Sequence, residues 1–160
     1  MFDNKTIKNF YELVKDVYKD VFRSKEIKVY DGNDGFNDEN DSYCIDVTCD
    51  ENIISWQMGE FFSKLFFLDN NEVDITIVVS GVCTNEVEVN KIIRQHENTP
   101  LNDIWSIDPG NNGEYLCMIT SLSYTSFGDL YQKIRSALIK LFDPNFTKTM
   151  NDIIKYLEED

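Results

Sequence analysis

Apolar residues recur at three- and four-residue steps near the start of the chain: Ile7, Phe10, Tyr11, Val14, Val17, Tyr18 and Val21. That period lines one stripe of a helix and predicts an amphipathic α-helix over residues 4–22. Asp3 or Asn4 can accept the first free N–H groups, and Lys19, Arg23 and Lys25 suit the partial negative charge at the far end. The period then shortens to two. Glu26 to Tyr30 alternates as a strand does. Ser42 to Cys49 sets Tyr43, Ile45 and Val47 on one face and Cys44, Asp46 and Thr48 on the other. Val73 to Val82 contains the run Ile75-Thr76-Ile77-Val78-Val79, β-branched throughout, which favours a central strand.

Between these strands lies an ambiguous stretch. Ile53 to Met58 can be read as a hairpin strand. Ile54, Met58, Phe61, Phe62, Leu65 and Leu68 also keep a helical period for four turns, and the stronger expectation is a helix from about residue 53 to 68, capped by Asp50 or Asn52. Its phenylalanines 61, 62, 66 and 67 spread over more than one face, which implies burial on two sides or an aromatic patch left for a partner.

Downstream, Thr84 or Asn85 caps a helix to about Asn98, which Thr99-Pro100 ends. Asp103 to Ile107, with Trp105, reads as a strand. Asp108-Pro-Gly-Asn-Asn-Gly113 is the strongest turn signal of the chain, and Glu114 to Tyr124 returns as a strand. Ser126 with Asp129 three residues on resembles a capping box, ahead of a helix buried through Phe127, Leu130, Ile134, Leu138 and Leu141. Asp143-Pro144 stops that helix and starts a last one, to about Leu157. With no repeat and no linker, residues 1–160 read as a single α+β domain: a four- to five-stranded, mainly antiparallel sheet packed by N-terminal, central and C-terminal amphipathic helices.

Composition supports a core, with 42% of residues apolar and 13% aromatic. No apolar run approaches the ~20 residues of a membrane span, and no basic head followed by an apolar segment marks an export signal, so a cytoplasmic protein is expected.

Charge changes the picture more. The formal net charge is −14, and residues 29–90 alone carry fourteen carboxylates against one base, Lys64. Such a balance disfavours direct binding to nucleic acid and to anionic membranes, both of which need clustered Lys and Arg. It favours a basic protein partner. The acids are densest from Asp31 to Glu51. The expected contact residues are therefore Asp31, Asp34, Asp38, Glu39, Asp41, Asp46, Asp50 and Glu51, with Phe36 or Trp56 as aromatic anchors if exposed.

Candidate chemistry adds little. Cys44, Cys49, Cys83 and Cys117 form no Cys-x-x-Cys pair and no zinc spacing. The lone histidine, His96, could be matched with Cys83 or Cys117 as a thiol pair, but a histidine near a helix end is more simply a partly exposed terminal residue. Asp31–Asp41 misses the EF-hand register, because position 1 falls on Ile27 or Tyr30. There is no phosphate-cradling glycine loop, no His-Glu-x-x-His and no Gly-x-Ser-x-Gly. The expectation is a protein with no cofactor, no metal site and no catalytic residues. The best-fitting class is an immunity or inhibitor protein that neutralises a basic toxin, for example a nuclease. The alternatives are an acidic secretion-effector chaperone and a nucleic-acid mimic that blocks a DNA-binding protein.

Overall fold

The β-branched run beginning at Val73 does form a strand, and the sheet is assembled around it. The computed structural model describes residues 2–23, 27–31, 43–49, 61–80, 82–109 and 115–158. The strands are β1 (Lys28–Asp31), β2 (Tyr43–Cys49), β3 (Phe61–Leu68), β4 (Glu72–Ser80), β5 (Val82–Cys83), β6 (Ser106–Asp108), β7 (Tyr115–Ser123) and β8 (Leu157–Glu158). The helices are α1 (Asn4–Phe22), α2 (Glu86–Glu97), α3 (Phe127–Ile139) and α4 (Pro144–Ile154). Six strands form one sheet in the order β1-β2-β3-β4-β7-β6, and every neighbouring pair is antiparallel. The α+β class stands as expected, with one strand more than the four to five predicted.

The added strand corrects the reading of residues 53–68. Residues 61–68 are extended rather than helical, pairing Tyr43 to Cys49 on one side and Glu72 to Val78 on the other. Residues 53–60 lie outside the described residues. The apolar positions fit both periods, and two neighbours settled the choice. As a strand the segment turns Ser63, Leu65 and Phe67 to the buried face and leaves Phe62, Lys64 and Phe66 half-buried on the other. The Asp69–Asn71 turn then folds it directly onto β4, with Asn71 in the left-handed region at φ 61°, which Asn tolerates better than most residues.

One face of the sheet is a row-by-row hydrophobic floor. The row Ile45, Leu65, Ile75, Thr120 and the row Val47, Ser63, Ile77, Met118, Ile107 follow directly from the strand register. Helix α1 sits on this floor. Asp3 caps it by accepting from the Thr6 N–H at 2.7 Å, and Arg23 ends it in the left-handed region with its N–H on Lys19 O. Its buried stripe is Phe10, Val14, Val17, Tyr18 and Phe22. Phe10 stacks on Phe67 with centroids 4.2 Å apart, a contact worth ~0.5–1.5 kcal/mol beyond area burial. The Tyr11 hydroxyl donates to Val29 O at 2.8 Å and fixes the helix to the edge strand. Beside it, α3 starts at Ser126, whose hydroxyl accepts from the Asp129 N–H at 3.1 Å, while Asp129 accepts in turn from the Thr125 N–H at 2.9 Å. α1 and α3 pack side by side, and α2 packs on α4.

Other boundaries move by a few residues. Trp105 precedes its strand instead of belonging to it: Pro100–Asp103 is a 3-10 turn, and β6 begins at Ser106. Trp105 is fully buried, with its indole N–H donating to Ala137 O at 2.8 Å. The predicted strand Val73–Val82 is two strands, because β5 leaves the main sheet to pair with β8. The last helix ends at Ile154, three residues early, and the chain then returns in β8, tied down by the Thr84 N–H and hydroxyl on Tyr156 O at 2.7 and 2.9 Å.

The Tyr18 and Ser63 hydroxyls share a hydrogen bond of 2.7 Å in the fully buried floor beneath α1. Removing one partner leaves the other buried without a bond; removing both leaves an apolar contact. Tyr18→Phe and Ser63→Ala should each lower unfolding free energy by ~1–3 kcal/mol, and the double variant should lose clearly less than their sum. Urea denaturation of the four proteins checks this; additive losses would show that the two hydroxyls do not depend on one another.

Candidate functional site

Of the eight predicted contact carboxylates, Asp31 and Asp46 fall in the described residues. Asp34, Asp38, Glu39, Asp41, Asp50 and Glu51 lie outside them, as do Phe36 and Trp56. The structure does not bring the two described ones onto one face. Asp31 is exposed at the end of the edge strand, opposite Ile45, on the helix-bearing side of the register. Asp46 lies one position further along β2, on the opposite face.

Their electrostatic roles differ too. Asp46 Oδ1 is 3.4 Å from Lys64 Nζ and also accepts the Cys44 thiol hydrogen at 3.5 Å. A part-exposed pair of this kind is worth at most ~1 kcal/mol of stability, but it neutralises Asp46 as a source of long-range field. Asp31 stands in a different setting. Burial, then the Asp31 carboxylate, pushes the neighbouring Tyr43 phenol up to about 12.

The structure adds two carboxylates to Asp31. The β3–β4 turn lies at the same end of the sheet as Asp31 and Tyr43, because Tyr43 pairs with Phe67 and Phe67 with Val73. Exposed Asp69 and part-buried Glu72 therefore project at that end. Asp31 is level with Leu65, four residues before Asp69, so at ~4.8 Å per strand and ~3.3 Å per residue the end of β1 and this turn are roughly 16 Å from one another. That is about two Debye lengths at physiological salt, so each carboxylate acts on its own part of that end. β1 ends at Asp31 and β2 begins at Tyr43, both at this end of the sheet. The helix expected over residues 53–68 hid this placement of Asp69, since it left the following turn no fixed relation to β1. The available signal was the hairpin grammar of an Asn-rich turn ahead of a β-branched run.

The histidine corrects its expectation of partial exposure. His96 is 2% exposed, with its ring edge-on to Phe146. Its Nε2 lies 2.7 Å from Trp105 O. A carbonyl accepts, so Nε2 carries the proton and the imidazole clamps α2 to the chain entering β6. Cys44 is buried, and burial first and Asp46 second push its thiol up to about 12, which keeps it protonated and unreactive. Among the described residues no group of three or more His, Cys, Asp or Glu is placed to hold a metal ion. No helix among them is long and apolar enough to cross a membrane.

One concave feature stands apart from the acidic end. A cavity of about 400 Å³ opens between β7 and α3, lined by Ile104, Thr120, Leu122, Ser136, Ala137 and Lys140 among others.

The shifted groups set an alkaline limit to stability. Cys44 rises from 9.0 to about 12 and Tyr43 from 10.0 to about 12, and burial raises Tyr18 as well. Each is raised in the fold, so its contribution is complete below the unfolded value and is lost as pH climbs through the folded one. Urea midpoints should hold level to about pH 9 and fall steadily toward pH 12. Asp31→Asn, which lowers the Tyr43 value, should make that fall shallower; an identical fall would detach Tyr43 from Asp31. Compared with protein families, with curated proteins and with solved structures, the chain matches none.

Proposed function

We propose that this protein is a non-catalytic binding domain whose acidic sheet end receives a basic protein, and that it serves as an immunity or inhibitor protein for a basic toxin such as a nuclease. The observation that carries the reading is the partition of charge. Residues 29–90 hold fourteen carboxylates against Lys64 alone, and Lys64 is occupied by Asp46. Asp31, Asp69 and Glu72 stand at the end where the chain leaves β1 and rejoins the sheet at β2. By contrast α1, on the helical layer, carries Lys5, Lys8, Lys15 and Lys19 beside its acids.

A nuclease must neutralise phosphates, so its substrate surface is rich in Lys and Arg. A field of opposite sign on an inhibitor captures that surface in two ways. It raises the rate of encounter, and it competes for the groups that would hold nucleic acid. Concentrated like charge also opposes folding through self-repulsion, a cost that a purely solubilising surface avoids by scattering its acids.

The test is co-expression with the product encoded beside this chain. Growth of cells that otherwise die, together with a one-to-one complex, is the expected result. In the purified pair, neutralising Asp31, Asp34, Asp38, Glu39 and Asp41 together should slow association by about tenfold or more and flatten its salt dependence, with circular dichroism unchanged. An association rate that ignores both salt and these five substitutions would end the electrostatic reading.

A further inference from the structure

The strand β7 is longer than its neighbour on one side. It pairs with β4 over all nine residues from Tyr115 to Ser123, but with β6 only from Cys117 to Ile119. Among the described residues no strand pairs residues 120–123 on that edge. The direction of the backbone groups there follows from alternation. The Tyr124 N–H donates to Asn71 O on the β4 side, so Ser121 and Ser123 turn their N–H and C=O groups to the opposite, open edge. Lys133 Nζ already donates to Ser123 O while pairing with Asp129 at 3.5 Å, which protects the last carbonyl. A lysine is a common guard for an exposed edge. Here it reaches only Ser123, and the Ser121 groups have no partner on that edge among the described residues.

The cavity lies beside this free edge. Its walls are apolar at Ile104, Leu122 and Ala137, and its volume of about 400 Å³ falls within the range of ligand pockets. Thr120 lines it and is only 5% exposed, yet its hydroxyl has no hydrogen-bond partner among the described residues. A buried hydroxyl without a partner is costly unless something brings one. The rim carries Lys133 and Lys140 on the α3 side, with Asp103 on the opposite wall. Lys140 has no ion-pair partner among the described residues.

We infer that this groove is a docking site for an extended peptide segment of a partner protein, added as a strand along Ser121 and the N–H of Ser123. The segment places an apolar side chain in the cavity, a polar group on the Thr120 hydroxyl and a carboxylate by Lys140. Strand addition divides the labour in the usual way: main-chain bonds hold the segment, and the pocket for alternate side chains selects it. The cavity decides between occupants. Pairing β7 with β7 of a second copy around a two-fold axis would set the two cavities against one another with no side chain added to either, because the Thr120 and Leu122 of each copy already line its own. A segment of a partner can fill the cavity, and an Asp or Glu on it meets Lys140, which has no ion-pair partner among the described residues.

The experiment is selection of a displayed random-peptide library on the whole chain, with a Ser121→Pro variant as competitor in solution. Proline at 121 deletes the N–H that faces the open edge and leaves the β4 ladder its bonds. The expected peptides alternate apolar residues and carry Asp or Glu. Their binding, read by fluorescence anisotropy, should weaken at least about tenfold in Ser121→Pro and in Ser136→Phe, which fills the cavity from the exposed face of α3, and several-fold in Lys140→Glu. Ser136→Phe keeps the question open to test if Ser121→Pro does not fold. Failure to enrich any peptide, or peptides that bind all variants equally, overturns the proposal. So does a concentration-dependent dimer in sedimentation velocity that Ser121→Pro abolishes, since that outcome assigns the edge to a second copy. Peptide binding should survive neutralisation of the five acids from Asp31 to Asp41, which separates this site from the acidic end.

Discussion

The strand β3 joins two halves of the sheet that would otherwise have no common edge. On one side it pairs with β2 and through it β1; on the other it pairs with β4 and through it β7 and β6. Its alternation is what permits this. Ser63, Leu65 and Phe67 face the helices, where Phe67 takes the Phe10 ring and Ser63 the Tyr18 hydroxyl. Phe62, Lys64 and Phe66 face away, where Lys64 meets Asp46 across the strand pair. A one-residue slip would bury Lys64 under α1 and expel Leu65, so the register is set by the burial pattern itself. Because Phe10 of α1 stacks on Phe67 and Tyr18 bonds Ser63, the residues that set the sheet order also seat the helical layer.

That constraint also decides how the charge is displayed. With β3 in place, the β3–β4 turn comes to the same end as Asp31, and Asp69 and Glu72 join it there. Asp46 is drawn the other way. It sits in the middle of a face beside the sheet's central lysine, so a residue that looked like part of an acidic run is a local ion pair. Nearness in sequence was a poor guide to which acids act together. Period-two geometry sends consecutive residues to opposite faces, so an acidic run passing from a strand end into a strand cannot present all its carboxylates to one partner.

Where local chemistry decides structure, the sequence was legible. Asp3 with Lys19 bounds α1, Ser126 with Asp129 starts α3 and Pro144 opens α4, because a cap or a proline acts within a few residues of itself. Residues 61–68 were misread for a physical reason. Leucines and phenylalanines at positions 61, 62, 65 and 68 satisfy a 3.6-residue period and a two-residue period alike, and only pairing with distant strands breaks the tie. His96 escaped for the same kind of reason. Its position near a helix end suggests solvent, while its partner, the Trp105 carbonyl, comes from a chain reversal that no local pattern announces. The groove beside β7 was hidden because it depends on β6 being three residues long, and the turn around Trp105 fixes that length.

The sheet order sets Asp31 apart from the groove: β1 lies four strand spacings from the free stretch of β7, at ~19 Å, beyond the Debye length of roughly 8 Å at physiological salt. Glu72 and Asp74, by contrast, pair with Ser123 and Ser121, but they lie on the sheet face away from the helices, whereas Lys140 reaches the groove from the helical layer. Lys140, with no ion-pair partner among the described residues, therefore keeps its positive charge beside the cavity, even though the whole molecule is strongly negative. A partner with a basic body and a short acidic, apolar strand meets complementary charge at both places. One surface governs how fast it arrives, and the other, built of main-chain bonds and a pocket, governs how long it stays. Net charge alone predicts only the first, which is why a formal charge of −14 does not exclude a carboxylate-seeking groove on the same molecule.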